Sequence, residues 1–458
     1  MAMAPRFALV TFHGTVVHFD RVTQTLRHAP VGMCDANVFL TRDGAAAGLV
    51  VDDGSESRTL NDYRPDACGI AETGGSAVFD TVAVGPDTIA LHANGRYMCA
   101  EASGAIAMSR NKPKDWESFL PIPKQDMRRL IFVLTNRWLP SHGGAPTDPA
   151  TYRCGEPYSV LFDGVCVPLR TLATGDEPQA RALFLCHDDW KIRHYVLYRP
   201  LAYLVAYGRE DIFQSAELAI RSLFDHGQWD GDVLLITDAA HRDFPARLPE
   251  PMRERTIVAL LPAHDVLDYT LARYKIADLP EAAPYQPLLY IDTDIVCDAP
   301  LHALTRAAVV SSALHACPEL PIGHPDDFYG VSLLQADGVA FDPAAPGFSS
   351  GTLAFRDAES QRALFAAIVA TAYRVAAFAD RRDVFEYCDQ PIFNYVAYKA
   401  GAVEGRLLER FVRICINGQS ALTEPVGKGL VHFAGGVGNA SPKLTHMTRY
   451  LELLNTRR

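Results

Sequence analysis

Residues 288–298 read LLYIDTDIVCD, an apolar and aromatic run that ends in two aspartates, Asp292 and Asp294, with Thr293 between them. Like charges this close repel, and a carboxylate taken out of water is costly unless a cation or metal stands against it. Residue types alone leave two readings. Either a strand ends in a solvated, capped turn before Pro300, or something cationic is held there. Period-two alternation along a strand would point Asp292 and Asp294 the same way. Hard oxygen donors so placed can share Mn²⁺ or Mg²⁺. The D-x-D pattern by itself is weak evidence for a metal.

The chain around this stretch alternates strands and helices. LAYLVAYG, from Leu201, reads as a buried strand. DIFQSAELAIRSLFDHG follows with Ile212, Ala216, Ala219, Ile220, Leu223 and Phe224 at helical spacing. DVLLITDA, TIVALLP and PLLYID read as strands, VLDYTLARYKIADL as a helix, APLHALTRAA as a short helix and VVSSAL as a strand. TLAF is then a strand and DAESQRALFAAIVATAYRVAAF a long amphipathic helix. This alternation predicts an α/β domain with a mostly parallel sheet over residues 197–458. Ligands of such sheets bind beyond the carboxyl ends of the strands, where the two aspartates fall.

Residues 1–190 have a different texture. Short β-type runs such as FALVTFHG, TVVHFD, VFLTRDG, IALHANG and LIFVLTN are punctuated by Gly, Asn and Asp, and no helical period stands out. An all-β domain is expected, with the change of texture near IRHYVLYRP, Ile192 to Pro200. TIALHANGRYMCAEASG, from Thr88, describes a strand, an Asn-Gly hairpin turn, a strand and a second Gly turn. RLIFVLTNRWLPSHGG, from Arg129, reads as a partial second copy. The phrase NGRYMCAE resembles fascin-like repeats, which implies a β-trefoil-like domain that would bind carbohydrate, position an acceptor or mediate self-association. Trp116, Trp138 and Tyr97 are candidates for sugar stacking, with core packing as the alternative.

Length and composition bound the rest. The 458 residues suit two or three domains, and a formal net charge of −11 argues against a dominant nucleic-acid surface. No apolar run reaches the roughly 18–20 residues of a membrane span. The N-terminus makes a poor signal peptide, because its apolar part is short and broken by His13 and His18. None of the ten cysteines forms a C-x-x-C pair, and free thiols in a reducing cytoplasm are expected.

Six segments of the second half, in order, resemble the retaining GT-A glycosyltransferases of family eight, the glycogenin and lipopolysaccharide galactosyltransferase group. They are LVAYGREDIFQSAELAIRSL, LARYKIADLP, LLYIDTDIV, GFSSGTLAF, CDQPIFNYV and VHFAGGVGNASPK. The resemblance implies a GT-A fold, a UDP-sugar donor, a carbohydrate, lipid or protein acceptor, and a divalent cation, Mn²⁺ with Mg²⁺ as the alternative. It implies metal ligation by Asp292, Asp294 and His432, where the residue type alone also allows a satisfied core histidine. It places the nucleotide base near Ala206 and Tyr207. Donor contacts would come from Arg273, Thr293, Ser349, Ser350, Gly351, Gly435 and Gly436. Asp389, also a candidate helix N-cap, would read donor hydroxyls, and Gln390 would lie beside the reacting carbon.

Two positions depart from the family pattern. Ser349 stands where Asn is usual. Gly438 occupies the expected phosphate-lysine position, so Lys443 would have to reach in from a longer loop. HPDDFYG, from His324, reads as a solvated loop or part of the acceptor side, and MTRYLELLNTRR as a short amphipathic helix with basic ends, where some relatives use a basic tail to touch membranes. Two other classes compete: a non-catalytic carbohydrate-binding scaffold with a degenerate transferase half, and a nucleotide-sugar nucleotidyltransferase. AYGREDIFQ, with one Gly and one Arg, lacks the basic glycine-rich phosphate loop the latter typically needs.

Overall fold

The computed structural model describes residues 5–33, 37–43, 46–52, 57–60, 62–63, 68–69, 78–174, 181–187, 191–380, 388–416, 427–435 and 440–456. The chain divides into two compact units, Met1–Leu197 and Tyr198–Arg458.

The first unit is dominated by antiparallel β-structure. In its main sheet the strand Arg6–Thr11 pairs with Phe119–Pro123, Val16–Asp20 and Val38–Asp43. The Asn-Gly hairpin is present as read: Ile89–Ala93 and Arg96–Ala100 pair across Asn94 and Gly95, both at positive φ. The second repeat copy is not a strand. LIFVLT lies inside a helix, Lys124–Thr135, that buries Met127, Leu130, Val133 and Leu134. A short continuous apolar run is ambiguous between strand and buried helix, and the polar KQDMRR ahead of it carries the first turns of the helical stripe. The repeat therefore does not extend to a second copy, and this helix is an addition to the expected all-β unit. Trp138 is fully buried and donates its indole N–H to the Val133 carbonyl at 2.8 Å, so it belongs to the core.

The second unit is built on a seven-stranded sheet. Its order is Thr256–Leu260, Asp232–Thr237, Leu201–Val205, Leu288–Ile291, Pro346–Phe355, Leu314–Pro321 and Val403–Glu404. The first four strands run parallel, and Pro346–Phe355 is antiparallel to both neighbours. A parallel strand covered on both faces reads as an unbroken apolar run, because alternate residues enter different cores. Ala202, Leu204, Leu235, Leu289 and Ile291 pack against the helices Glu210–Asp225 and Ala440–Thr456. Leu201, Tyr203, Leu234, Leu288 and Tyr290 face the helices Ala358–Phe378 and Gln390–Ala400.

Three local expectations change. VVSSAL is not a strand: Val309 and Val310 close the helix His302–Val310, and the strand starts at Leu314. VLDYTLARYKIADL is a short α-helix, Val266–Leu271, followed by a 3₁₀ turn, Ala272–Asp278. The C-terminal helix turns Met447, Tyr450 and Leu454 into the core beside Glu210–Asp225, so its apolar face is used in packing. No helix among the described residues is long and apolar enough to cross a membrane.

Phe355 is fully buried and meets Phe365 edge-on with ring centroids 5.4 Å apart. Phe355→Ala is expected to cost about 3–5 kcal/mol, the range for emptying a core phenylalanine site. A urea titration of the second unit's unfolding would measure it.

Candidate active site

Two β-connections bring the distant segments of the site together. The strand Leu288–Ile291 ends before Asp292, and Asp292 to Asp294 form a tight turn closed by the Ile295 N–H to the Asp292 carbonyl at 3.2 Å. The aspartates are thus paired by a turn and not by strand alternation. On one side the Asp292 N–H donates to the Gly351 carbonyl at 2.9 Å, continuing the register Ile291↔Thr352. On the other, Ile295–Cys297 starts a small three-stranded sheet in which Ile295 lies opposite His432, and the Phe433 N–H donates to the Asp294 carbonyl at 3.0 Å. These pairings set Gly351 and His432 against the two aspartates.

Asp292, Asp294 and His432 each offer a ligand atom, all within 4.8 Å of one another. His432 Nε2 is 3.3 Å from Asp294 Oδ1. Asp294 Oδ1 and His432 Nδ1 are buried without a hydrogen-bond partner among the described residues. Buried polar atoms normally find partners, so a pair left over in one site marks a place for an unseen ligand. Gly351 leaves the room: a Cβ there would stand 2.7 Å from His432 Cε1 and 2.8 Å from Asp292 Oδ2. Two carboxylates, one imidazole and a side-chain-free wall fit a divalent cation.

The protein's own charges balance the site. Lys443, from the helix Ala440–Thr456, places Nζ 2.6 Å from Asp294 Oδ2, so the displaced lysine does reach the cluster. Burial alone would raise the Asp294 carboxyl, but His432 and Lys443 outweigh it and hold it well below the usual carboxylate range. Burial pushes Asp292 the other way, above its ordinary value, although Arg273 Nη2 lies 3.3 Å from its Oδ1 and the Tyr290 hydroxyl donates to the same oxygen.

Arg273 is only 7% exposed, and its fork faces the protein. Nη1 donates to the Ser350 carbonyl at 2.8 Å, Nε to the Thr270 carbonyl at 3.0 Å, and Nη2 lies 3.6 Å from Asp389 Oδ1. Asp389 is 2% exposed and accepts from the Tyr274 hydroxyl at 2.5 Å. Its side chain does not cap the helix Gln390–Ala400. Arg273 and Asp389 are thus tied to each other, and through Arg273 to Asp292 in the turn.

Gln390 and Ser350 join this network through the Ser350 N–H, which donates to Gln390 Oε1 at 3.3 Å. Ser349 is buried and accepts from the Gly351 N–H at 3.3 Å, so its short arm is used inside its own strand. Thr293 is half-buried in the turn, and Gly435 is exposed with φ +102°. Gly436 lies outside the described residues. Ala206 and Tyr207 are buried. Tyr207 donates to the Leu261 carbonyl at 2.8 Å and stacks on Tyr269 with centroids 4.9 Å apart, so one face of its ring is filled. The sequence does not single out Tyr274, Tyr290 or Glu319 as partners of the site residues, and it offers Tyr329 only as part of the HPDDFYG loop. The available signal was the hydroxyl itself, since a tyrosine in a buried run needs a partner for its O–H.

No protein-family profile matches the chain, and no curated protein matches its sequence. Solved structures do overlap it. The galactosyltransferase LgtC, solved with donor and acceptor sugar analogues, aligns at 15% identity over 56% of this chain and 95% of its own, with a TM-score of 0.38. The apo glycosyltransferase GlyE of Streptococcus pneumoniae TIGR4 aligns at 14% identity over 57% of this chain and 63% of its own, with a TM-score of 0.35. Mouse xyloside xylosyltransferase 1 aligns at 13% identity over 53% of this chain and 98% of its own, also with a TM-score of 0.35.

Two expectations follow from the geometry. Gly351→Ala should weaken binding of a divalent cation by about tenfold or more, the scale for disturbing the surroundings of a metal's ligands, because the added methyl group would stand 2.7 Å from His432 Cε1 and 2.8 Å from Asp292 Oδ2; calorimetric titration with divalent cations alone would show it. The second concerns pH. Burial lowers the basicity of His432, but Asp294 and Asp292 outweigh it, so the folded protein holds the imidazolium above its ordinary range. The resulting stabilisation is full below about pH 6.5 and is lost as pH rises through the raised value. As pH rises above about 6.5, the metal-free protein should lose thermal stability more steeply than His432→Gln does. Parallel melting curves would contradict this.

Proposed function

We propose that the second unit is a metal-dependent retaining glycosyltransferase that moves a hexose from a UDP-sugar to a carbohydrate, lipid or protein acceptor. The observation that carries this reading is the convergence of Asp292, Asp294 and His432, with Asp294 Oδ1 buried and without a hydrogen-bond partner among the described residues, against the bare backbone of Gly351. An imidazole among the oxygen donors favours Mn²⁺ over Mg²⁺. When bound, such an ion would neutralise the diphosphate and assist its departure as a Lewis acid.

The chain's own groups supply the rest. The Lys443 side chain is partly exposed, so its ammonium can turn from Asp294 to a phosphate oxygen. The exposed backbone of Gly435 lets a phosphate approach its N–H. Arg273 and Asp389, locked to each other and to Asp292, keep the turn in register while charge moves in front of it.

In the reaction, the bond from the anomeric carbon to the diphosphate oxygen breaks. The acceptor oxygen bonds to that carbon on the same face. The acceptor's proton passes to the departing phosphate oxygen, and UDP leaves. Gln390 is uncharged and cannot act as a strong nucleophile. Its amide dipole instead stabilises the positive charge that builds on the sugar.

UDP release measured with Mn²⁺ and a panel of UDP-hexoses tests this reading. At least one donor should support turnover, and Asp292→Ala should lower it by about a hundredfold or more, the scale for losing a transition-state electrostatic contact. Absence of release from every donor, together with unchanged donor binding in Asp292→Ala, would remove the transferase reading.

A further inference from the structure

Between the strands Leu314–Pro321 and Pro346–Phe355 the chain makes an excursion with its own small apolar cluster, Ile322, Tyr329 and Leu334. HPDDFYG forms part of it. Pro325 and Asp326 are exposed, whereas Tyr329 is 1% exposed. Two glycines let this excursion seat closely. A Cβ on Gly347 would stand 2.4 Å from the Tyr329 ring, and one on Gly330 would stand 2.3 Å from the carbonyl oxygen of Pro391, the residue after Gln390. The loop thus packs on the first turn of the helix that carries Gln390.

A chain of hydrogen bonds runs from this loop to the Gln390 side chain. The Leu320 N–H donates to the Tyr329 hydroxyl at 3.1 Å. That hydroxyl donates to Glu319 Oε2 at 3.0 Å, and Gln390 Nε2 donates to the same oxygen at 3.2 Å. Each proton has one allowed place. The Leu320 amide can only donate, so the hydroxyl spends its single hydrogen on Glu319. An ionised carboxylate can only accept, so Gln390 must present its NH₂ to it. The Ser350 N–H can only donate, so it requires the carbonyl oxygen of Gln390. Both neighbours select the same one of the two amide orientations, which differ by a flip of the side chain.

We propose that Glu319 and Tyr329 are positioning residues that lock the Gln390 amide in this single orientation, with Oε1 toward Ser350 and Nε2 toward Glu319. The functional consequence rests on the reading of Gln390 as the group beside the reacting carbon. A dipole that must face developing positive charge is useful only if it cannot flip. The excursion that carries Tyr329 thereby couples a surface loop to the orientation of that amide.

Two measurements test this separately from the transferase reading. The first needs no substrate. Gln390→Glu sets a second carboxylate against Glu319, so its melting temperature at about pH 8 should fall by about 3 °C or more. Adding Glu319→Gln, which keeps the shape and supplies an amide, should restore at least half of that loss. A double variant no more stable than Gln390→Glu alone would overturn the proposed contact. The second measurement uses whichever donor supports UDP release. Glu319→Ala and Tyr329→Phe should lower kcat by about tenfold or more, the scale for misplacing a reacting group. KM for the donor and the affinity for Mn²⁺ should stay near those of the wild type, and Glu319→Gln should recover most of kcat. Wild-type kcat in Glu319→Ala would overturn the positioning role even if the thermal cycle held. If no donor turns over while the cycle shows the coupling, the transferase reading fails and the lock on Gln390 stands.

Discussion

Two carboxylates held close together in a half-buried turn are the constraint around which the second unit is organised. Asp292 and Asp294 repel each other, and each loses hydration on burial. The structure compensates with a separate cation for each: Arg273 and the Tyr290 hydroxyl at Asp292, Lys443 and His432 at Asp294. The two halves of this arrangement differ in kind. Arg273 is buried and held by Ser350, Thr270 and Asp389, so it is part of the framework. Lys443 reaches in from the C-terminal helix, and its partly exposed side chain can leave. A divalent cation entering the turn would compete with Lys443 and with the proton on His432, and leave Asp292's support in place.

The sheet explains how such a site can be held rigid. Alternate residues of Leu288–Ile291 enter two different cores, so the strand is clamped from both faces up to the residue before Asp292. Beyond that point the turn is fixed by backbone bonds to Gly351 on one side and to Phe433 on the other. The glycines at 351, 347 and 330 share one physical role. Each removes a side chain where a ring, a carboxylate or a backbone oxygen comes within contact distance. Close approach, rather than loop flexibility, is what these positions require.

Much of this was legible in the chain. The long apolar runs of the parallel strands, the amphipathic helices Glu210–Asp225 and Ala358–Phe378, and the Asn-Gly hairpin all carry local signals of period or turn chemistry. LIFVLT misled because five apolar residues in a row have no period to measure, and VVSSAL because its two valines are the end of a helix while its last residue begins a strand. At the site, the residue types Asp292, Asp294, His432 and Lys443 could be singled out from sequence, and the structure brings them together. The direction in which Arg273 and Asp389 point could not be, because a side chain's facing depends on partners far along the chain.

The sequence by itself determined the kinds of chemistry available: hard oxygen donors, an imidazole, cations to balance them, and strands and helices in an order that builds an open sheet. Tertiary structure alone decided which of these groups face open space and which face each other. Strand pairing set Ile295 opposite His432, and a turn rather than strand alternation brought the two aspartates together. The same folding set Arg273 against Asp389 and tied Gln390 through Glu319 to Tyr329. Hydrogen bonds and ion pairs act over about 3 Å, a distance that spacing along a chain does not encode.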